Sequence, residues 1–311
     1  MNDDESLTAV FERHRDRRFL FVEQGGNWGD YLIYRGADHL ARRLGLDFVS
    51  LSYRQFMARP PEADDAVYLH GGGGLNSWYR GEDLDALCHA LRRYTGPIIQ
   101  GPCTTEDSPE YLGLFASRVQ ACTNEHFYLF ARELTTWRNL QGILRNSKIH
   151  IRLNHDTALY LTKPDILGSA TYPSRYELLA LREDVEKPTD RLLFNHSRGV
   201  RLDPPHYATS LDHWMRIHAY SRSIITNRTH SAILGSVLGI PVTLLPGSYH
   251  KNRSIWEYSL RERGVNWQDW PSNPPRATLG PVGYALDRAR HSYKLRRLRL
   301  LLLPLHGVPR R

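Results

Sequence analysis

The sequence predicts an α/β protein made of two doubly wound, Rossmann-like domains that face a cleft. Three observations predict it. Short apolar runs of strand length alternate with amphipathic stretches of helical period through the first half of the chain. The same alternation starts afresh near residue 148. Several apolar runs lead directly into Gly, Arg or acidic residues that open the next helical stretch, as at the carboxyl ends of a parallel sheet. The 311 residues suffice for two such units. The division read from the pattern is 1–148, 149–275 and a basic, leucine-rich tail at 276–311.

Taken in order, Phe19–Val22 is strand-like. Asp30–Leu44 reads as a helix because Leu32, Ile33, Ala37, Leu40, Ala41 and Leu44 share a face. Val67–Leu69 is a strand that runs into four consecutive glycines, 71–74, expected to form a loop because glycine weakens any regular element. Leu84–Leu91 is helical, and Pro97–Ile99, Val119–Ala121 and Phe127–Phe130 are strands. Glu133–Leu144 is a helix. In the second set, Ile149–Ile151, Leu178–Leu181, Leu192–Phe194, Ile224–Ile225 and Val242–Leu245 supply strands. Asp156–Leu161 is a brief helix, 164–174 is rich in loop formers, and Asp212–Tyr220 and Ser231–Leu238 are helices.

The hydrophobic fraction of 41% and charged fraction of 24% are those of a soluble globular protein. A formal charge of +8 favours anionic partners. Nucleic acid is not expected, because the basic residues are scattered and no zinc-finger, RNP or helix-turn-helix signature occurs. The three cysteines, Cys88, Cys103 and Cys122, lack the spacing of a disulfide framework or zinc site and read as cytosolic thiols. Met1–Ser6 is acidic and polar, unlike a signal peptide, and no apolar run approaches the ~20 residues that span a bilayer. In the tail, 284–303 interleaves Arg and Lys with Leu, which suits an anionic membrane surface or packing on the body.

The most informative stretch is Thr226–Val242. Ser223–Thr226 is a short buried strand, Asn227 a candidate helix cap, and Ala232, Ile233, Leu234, Val237 and Leu238 the apolar face of the helix. Gly239 and Pro241 end it. Arg228 and His230 therefore fall in a first helical turn, where free N–H groups and the dipole favour an anion. The guanidinium fork suits phosphate or carboxylate, and the imidazole can move a proton near neutral pH.

Other strand ends carry further candidates. Asn27 and Asp30 follow the first strand, with Asp30 able to cap the helix or face the cleft. Gly72 and Gly73 offer backbone N–H groups as an anion nest. Arg132 and Glu133 open a helix, as anion contact and its holder. Asp156 is an N-cap or a cleft residue, and Arg182, Lys251 and Asn252 follow later strands toward the same cleft. No metal-ligand cluster is visible in the sequence.

In their order, Asn27-Trp-Gly-Asp30, the glycine run, Arg132-Glu133, Asp156 with Ala158, Arg182-Glu-Asp184, Arg228-Thr-His230 with Gly239-Ile-Pro241, and Lys251-Asn252 resemble the polysaccharide pyruvyl transferase family over roughly 20–260. Thr229 stands where the family pattern has Leu. The resemblance implies a GT-B-like arrangement. It implies phosphoenolpyruvate as donor, with no cofactor, and a sugar of an exopolysaccharide or lipid-linked oligosaccharide as acceptor. On it, His230, Asp30 and Glu133 become the catalytic candidates. Arg228, Arg132, Arg182, Asn27, Gly72, Gly73, Asp156, Lys251 and Asn252 become the substrate-binding ones. The cysteines suit a cytoplasmic enzyme, and the basic tail would suit one acting on lipid-linked sugars at the inner face of the plasma membrane, the alternative being a tail packed on the body. Two rival readings are a nucleotide-sugar glycosyltransferase of the same architecture and a non-catalytic polysaccharide-assembly protein. The first often places a Glu pair in the stretch equivalent to 228–242, where this chain has none.

Overall fold

A computed structural model describes residues 6–79, 81–120, 122–145, 147–188 and 199–270. The expected Leu192–Phe194 strand and the tail at 276–311 lie outside them. The described chain forms two all-parallel sheets with helices packed against them.

The first sheet holds β1 (Arg18–Glu23), β2 (Phe48–Ser52), β3 (Asp65–Leu69), β4 (Gly72–Leu75), β5 (Ile98–Thr105), β6 (Phe127–Ala131) and β7 (His150–Leu153). Its order is β2-β1-β3-β5-β6-β7, with β4 also paired to β5. β3 and β6 are buried throughout, which is why they read as near-continuous apolar runs rather than alternating ones. The chain turns one way after β1 and the other way at β3, so the crevice between their carboxyl ends is a topological switch point. Into it run Gln24–Asp30 and the glycine segment.

The second sheet has the order β12-β11-β10-β8-β9. Its strands are β8 (Tyr176–Ala180), β9 (Gly199–Leu202), β10 (Ser221–Thr226), β11 (Val242–Leu244) and β12 (Asn266–Trp267). Its switch point lies between β8 and β10, where Arg182 and Arg228 emerge.

The helices are α1 (Leu7–Arg13), α2 (Trp28–Leu44), α3 (Tyr53–Ala58), α4 (Glu82–Arg93), α5 (Pro109–Val119), α6 (Leu134–Ile143) and α7 (Lys163–Leu167) in the first part. The later ones are α8 (Pro204–Tyr207), α9 (Leu211–Ala219), α10 (Thr229–Leu238) and α11 (Lys251–Ile255), the last continued by a π-helical turn. Leu32 of α2 is fully buried in the core of the second sheet, beside Ala158 and Ile233. Trp28 Nε1 of α2 donates to the Ala208 carbonyl at 3.1 Å. The first long helix thus joins the two sheets rather than serving only its own.

Several expectations need correcting. The strand expected at Val119–Ala121 is the end of α5: Ser108 caps it, Pro109 starts it, and Tyr111, Phe115 and Val119 form one buried i, i+4 stripe. The strand near 150 does not open the second sheet. It closes the first, pairing Tyr128 to His150 and Ala131 to Leu153. The glycine run is not all loop, because Gly72 and Leu75 pair with Cys103 and Thr105. The stretch 164–174 contains most of α7. The helix of Asp30–Leu44 begins earlier, at Trp28, because Asn27 and Asp30 form a reciprocal capping box.

Candidate active site

The two switch points open onto one cavity of about 380 Å³, within the size range of small-molecule sites. Gln24–Asn27, Asp30, Gly71–Gly74, Asp83 and Arg132 line it from the first sheet, and Arg182, Arg228, His230 and Lys251 from the second.

Arg228 is the N-cap residue of α10, and no side chain caps that helix. The cap expected from Asn227 does not form, because its Oδ1 accepts from the Arg182 backbone N at 2.8 Å. The Arg228 guanidinium is held by a bidentate pair to Asp203, at 2.6 and 2.5 Å, and by Asp184 at 2.9 Å. Arg182 grips Asp184 at 2.9 and 3.0 Å and Glu186 at 2.6 and 2.8 Å. Glu186 also pairs with Lys251 and accepts from Tyr79 Oη at 2.7 Å, which ties the segment after β4 to the second sheet. Three cations thus alternate with three carboxylates. The wall is rigid, with its fork geometry set before any ligand arrives. Burial would raise the carboxyls of Asp184 and Glu186, but the cations beside them outweigh it and hold both at about 2. Burial lowers the Lys251 ammonium to about 8 despite Glu186.

Arg132 is fully buried at the end of β6. Its Nε donates to Thr104 Oγ1 at 2.9 Å and its Nη1 to Asp156 Oδ2 at 2.8 Å. His230 Nε2 lies 3.4 Å from the same Nη1 and 3.5 Å from the same carboxylate oxygen. Burial pushes the Asp156 carboxyl up, yet His230 and Arg132 hold it below the ordinary carboxylate range. Asp156 Oδ1 meanwhile accepts from Ala158 N at 3.0 Å, capping the 3₁₀ turn Thr157–Tyr160. A Cβ built on Gly73 would lie 3.2 Å from Arg132 Nη2 and 3.5 Å from Lys251 Nζ, so the glycine run passes between cations of both sheets.

Three expected site residues do not line the cavity: Glu133, Asn252 and Asp156. Glu133 caps α6, accepting from Thr135 N at 2.7 Å and Thr136 N at 3.0 Å, and lies 3.5 Å from His250. The carboxylate beside His230 is Asp156 instead. Asn252 is a buried bracket: it accepts from Thr229 Oγ1 at 2.7 Å and donates to the carbonyls of Asn227 and Leu245. Asn27, Asp30, Gly72, Gly73, Arg132, Arg182, Arg228, His230 and Lys251 line the cavity. Asp156 stands behind Arg132 and His230.

Sequence reasoning missed Asp203, Glu186, Tyr79 and Asp83. Asp203 had a readable signal, a strand-like Val200–Leu202 run ended by Asp-Pro-Pro. It also missed why residue 29 is glycine. A Cβ there would sit 2.7 Å from His230 Cβ and closer still to Nδ1, so α2 leaves the space that the imidazole fills.

A cavity lined by Arg132, Arg182, Arg228, Lys251 and His230 at the switch points of parallel sheets lies where α/β proteins bind their small-molecule ligands. The sequence model of the polysaccharide pyruvyl transferase family matches residues 27–249, and the chain belongs to that family. Its activity class is accordingly that of a transferase in polysaccharide biosynthesis. The fold is similar to the crystal structure of an uncharacterized protein of Klebsiella pneumoniae, with a TM-score of 0.66 at 20% identity over 85% of this chain and 97% of that one. No curated protein matches the sequence. Among the described residues no helix is long and apolar enough to cross a membrane.

Proposed function

We propose that this protein transfers the pyruvate unit of phosphoenolpyruvate to two hydroxyls of one sugar in an exopolysaccharide or lipid-linked oligosaccharide, forming a cyclic ketal. The observation that carries the reading is the convergence of Arg228, His230, Arg132 and Lys251 on one cavity at the uncapped start of α10. The donor carries a phosphate and a carboxylate. Arg228 with the free amides of α10 suits one of them, and Arg132 with Lys251 across Gly73 the other. Fixed donors aimed at the leaving group act most strongly where charge develops. Protonation of C3 makes C2 electrophilic, one hydroxyl adds there, phosphate departs and the second hydroxyl closes the ring. His230 is the acid–base group at the phosphate end, oriented by Asp156.

In this reading the two sheets are the lobes of a GT-B-like arrangement, divided beyond β7, which belongs to the first lobe. The protein works in the cytoplasm. The basic, leucine-rich sequence 284–303 attaches it to the anionic inner leaflet. Removal of 284–311 should release it from membrane fractions while sparing turnover of a soluble acceptor.

The central test incubates the full chain with phosphoenolpyruvate or with nucleotide sugars and measures phosphate against nucleotide release. Phosphate release from phosphoenolpyruvate is expected. His230→Ala should lower it ~10²–10⁴-fold while leaving calorimetric phosphoenolpyruvate binding and the melting temperature near wild type. Nucleotide release would move the assignment to a glycosyltransferase. Failure to bind either donor would leave the assembly-protein reading.

A further inference from the structure

The carboxylates around the cavity fall into two groups. Asp156, Asp184, Glu186 and Asp203 are each ion-paired with an Arg or Lys. Asp30, Glu82 and Asp83 line the same cavity, and none of them takes part in an ion pair among the described residues. Asp30 Oδ2 accepts only from the Asn27 backbone N, at 2.8 Å. Asp83 stands in the first turn of α4, whose N-cap is Gly81 and provides no side chain. Its carboxylate presses on the glycine run: a Cβ built on Gly74 would lie 2.6 Å from Oδ1 and nearer still to Oδ2. The sequence has therefore left room for this carboxyl group at the cavity wall, as it has for the His230 ring.

The titratable groups facing Asp83 are Asp30 and Tyr34 from α2, Glu82 from its own helix, Cys103 from β5 and Tyr111 from α5. None is a cation. Burial, and then the charge of Asp30, push the Asp83 carboxyl up to about 7. A carboxyl beside a second carboxylate in a buried site ionises reluctantly, so Asp83 can still carry a proton near neutral pH.

We infer that Asp83 is a catalytic acid–base group and that the Asp30–Asp83 end of the cavity receives the acceptor's two hydroxyls. This inference rests on the donor reading above. The donor's negative charge is drawn to Arg228, Arg132 and Lys251 and repelled by these carboxylates, whereas neutral hydroxyls are good partners for them. The protons then balance. Asp83 gives its proton to C3 of the donor, converting the methylene to a methyl group, as the first hydroxyl oxygen bonds to C2. That hydroxyl's proton passes to the Asp30–Asp83 pair and restores the acid. The bond from C2 to the phosphate oxygen breaks, the second hydroxyl oxygen bonds to C2, and its proton leaves on the phosphate through His230. Two C–O bonds form at C2, one breaks, and nothing is oxidised or reduced.

The test compares wild type, Asp83→Asn and Asp83→Glu in the full chain. Calorimetry with phosphoenolpyruvate comes first. Absence of binding by wild type would refute the donor reading itself, before any variant is considered. Asp83→Asn should bind the donor within about threefold of wild type. Loss of donor binding in that variant alone would place Asp83 in the donor cradle and overturn the inference. With a panel of p-nitrophenyl glycosides as acceptors, Asp83→Asn should release phosphate at least ~100-fold more slowly. Asp83→Glu should recover part of the rate with a displaced pH profile. Because the protonated form is the active one, wild-type turnover should fall as pH rises through about 7, and Asp83→Asn should lack that limb. An Asp83→Asn enzyme with the wild-type rate and pH profile would overturn the inference.

Discussion

Two strand-to-helix junctions face each other across this cavity and handle the same problem in opposite ways. At the β6–α6 junction Arg132 points into the cavity while the next residue, Glu133, turns back and accepts from the amides of Thr135 and Thr136. The anion that α6 needs is built in. At the β10–α10 junction Arg228 and His230 both reach the cavity, and no side chain caps α10. Its amides and dipole remain for a ligand. The difference teaches where the donor anion belongs. A helix that supplies its own carboxylate has spent its end on stability, and one that withholds it has kept its end for binding.

The largest expected effect comes from removing the cation of the open junction. Arg228→Ala strips Asp203 of its bidentate partner in a buried setting. Breaking such a pair typically costs ~3–5 kcal/mol, so the denaturant midpoint should fall clearly. Adding Asp203→Asn removes the stranded charge and should return much of that stability. Phosphoenolpyruvate binding measured by calorimetry should remain lost in both proteins. Recovery of binding along with stability would mean that Arg228 only holds the fold and that the junction is not the donor site.

Next in size is Gly29→Ala. Alanine is the better helix residue by about 1 kcal/mol, so propensity alone would favour the change. The added methyl, however, falls 2.7 Å from His230 Cβ. The imidazole must shift, and a displacement of about 1 Å can cost on the order of 10²-fold in rate. Phosphate release should drop by about that factor with donor binding kept within a few-fold. Unchanged turnover would detach His230 from the chemistry and leave Arg228 as the only functional residue of the open junction.

The open junction was legible in the sequence because its signals are local. A short apolar run, an apolar helical stretch and Gly239 before Pro241 place Arg228 and His230 without any knowledge of the rest. The closed junction was legible only in part. Arg132 and Glu133 are adjacent, and nothing local says which of them turns away. Val119 misled because a two- or three-residue apolar run has no period of its own. Its partners Phe115 and Tyr111 lie four and eight residues back, beyond the reach of so short a run. Asp83 was beyond reach altogether. Its role depends on contact with Gly74 and nearness to Asp30, groups from three different elements that only the tertiary fold assembles.

The smallest effect is expected at the closed junction, where Glu133→Gln should weaken a cap and little else. Loss of a good cap costs about 1 kcal/mol, and donor binding should stay at the wild-type level. The cost should depend on pH, because Glu133 also faces His250 at 3.5 Å. Burial lowers the His250 pKa, but Glu133 and then Asp107 outweigh it and raise it above 6.5. A raised folded-state pKa gives stability that is fully present below the unfolded value and lost as pH rises through the folded one. Glu133→Gln should therefore destabilise more at pH near 6 than near 9, read as the difference in urea midpoint. If the variant kept its midpoint at both pH values yet lost phosphoenolpyruvate, Glu133 would be a binding residue after all. The two junctions would then be alike.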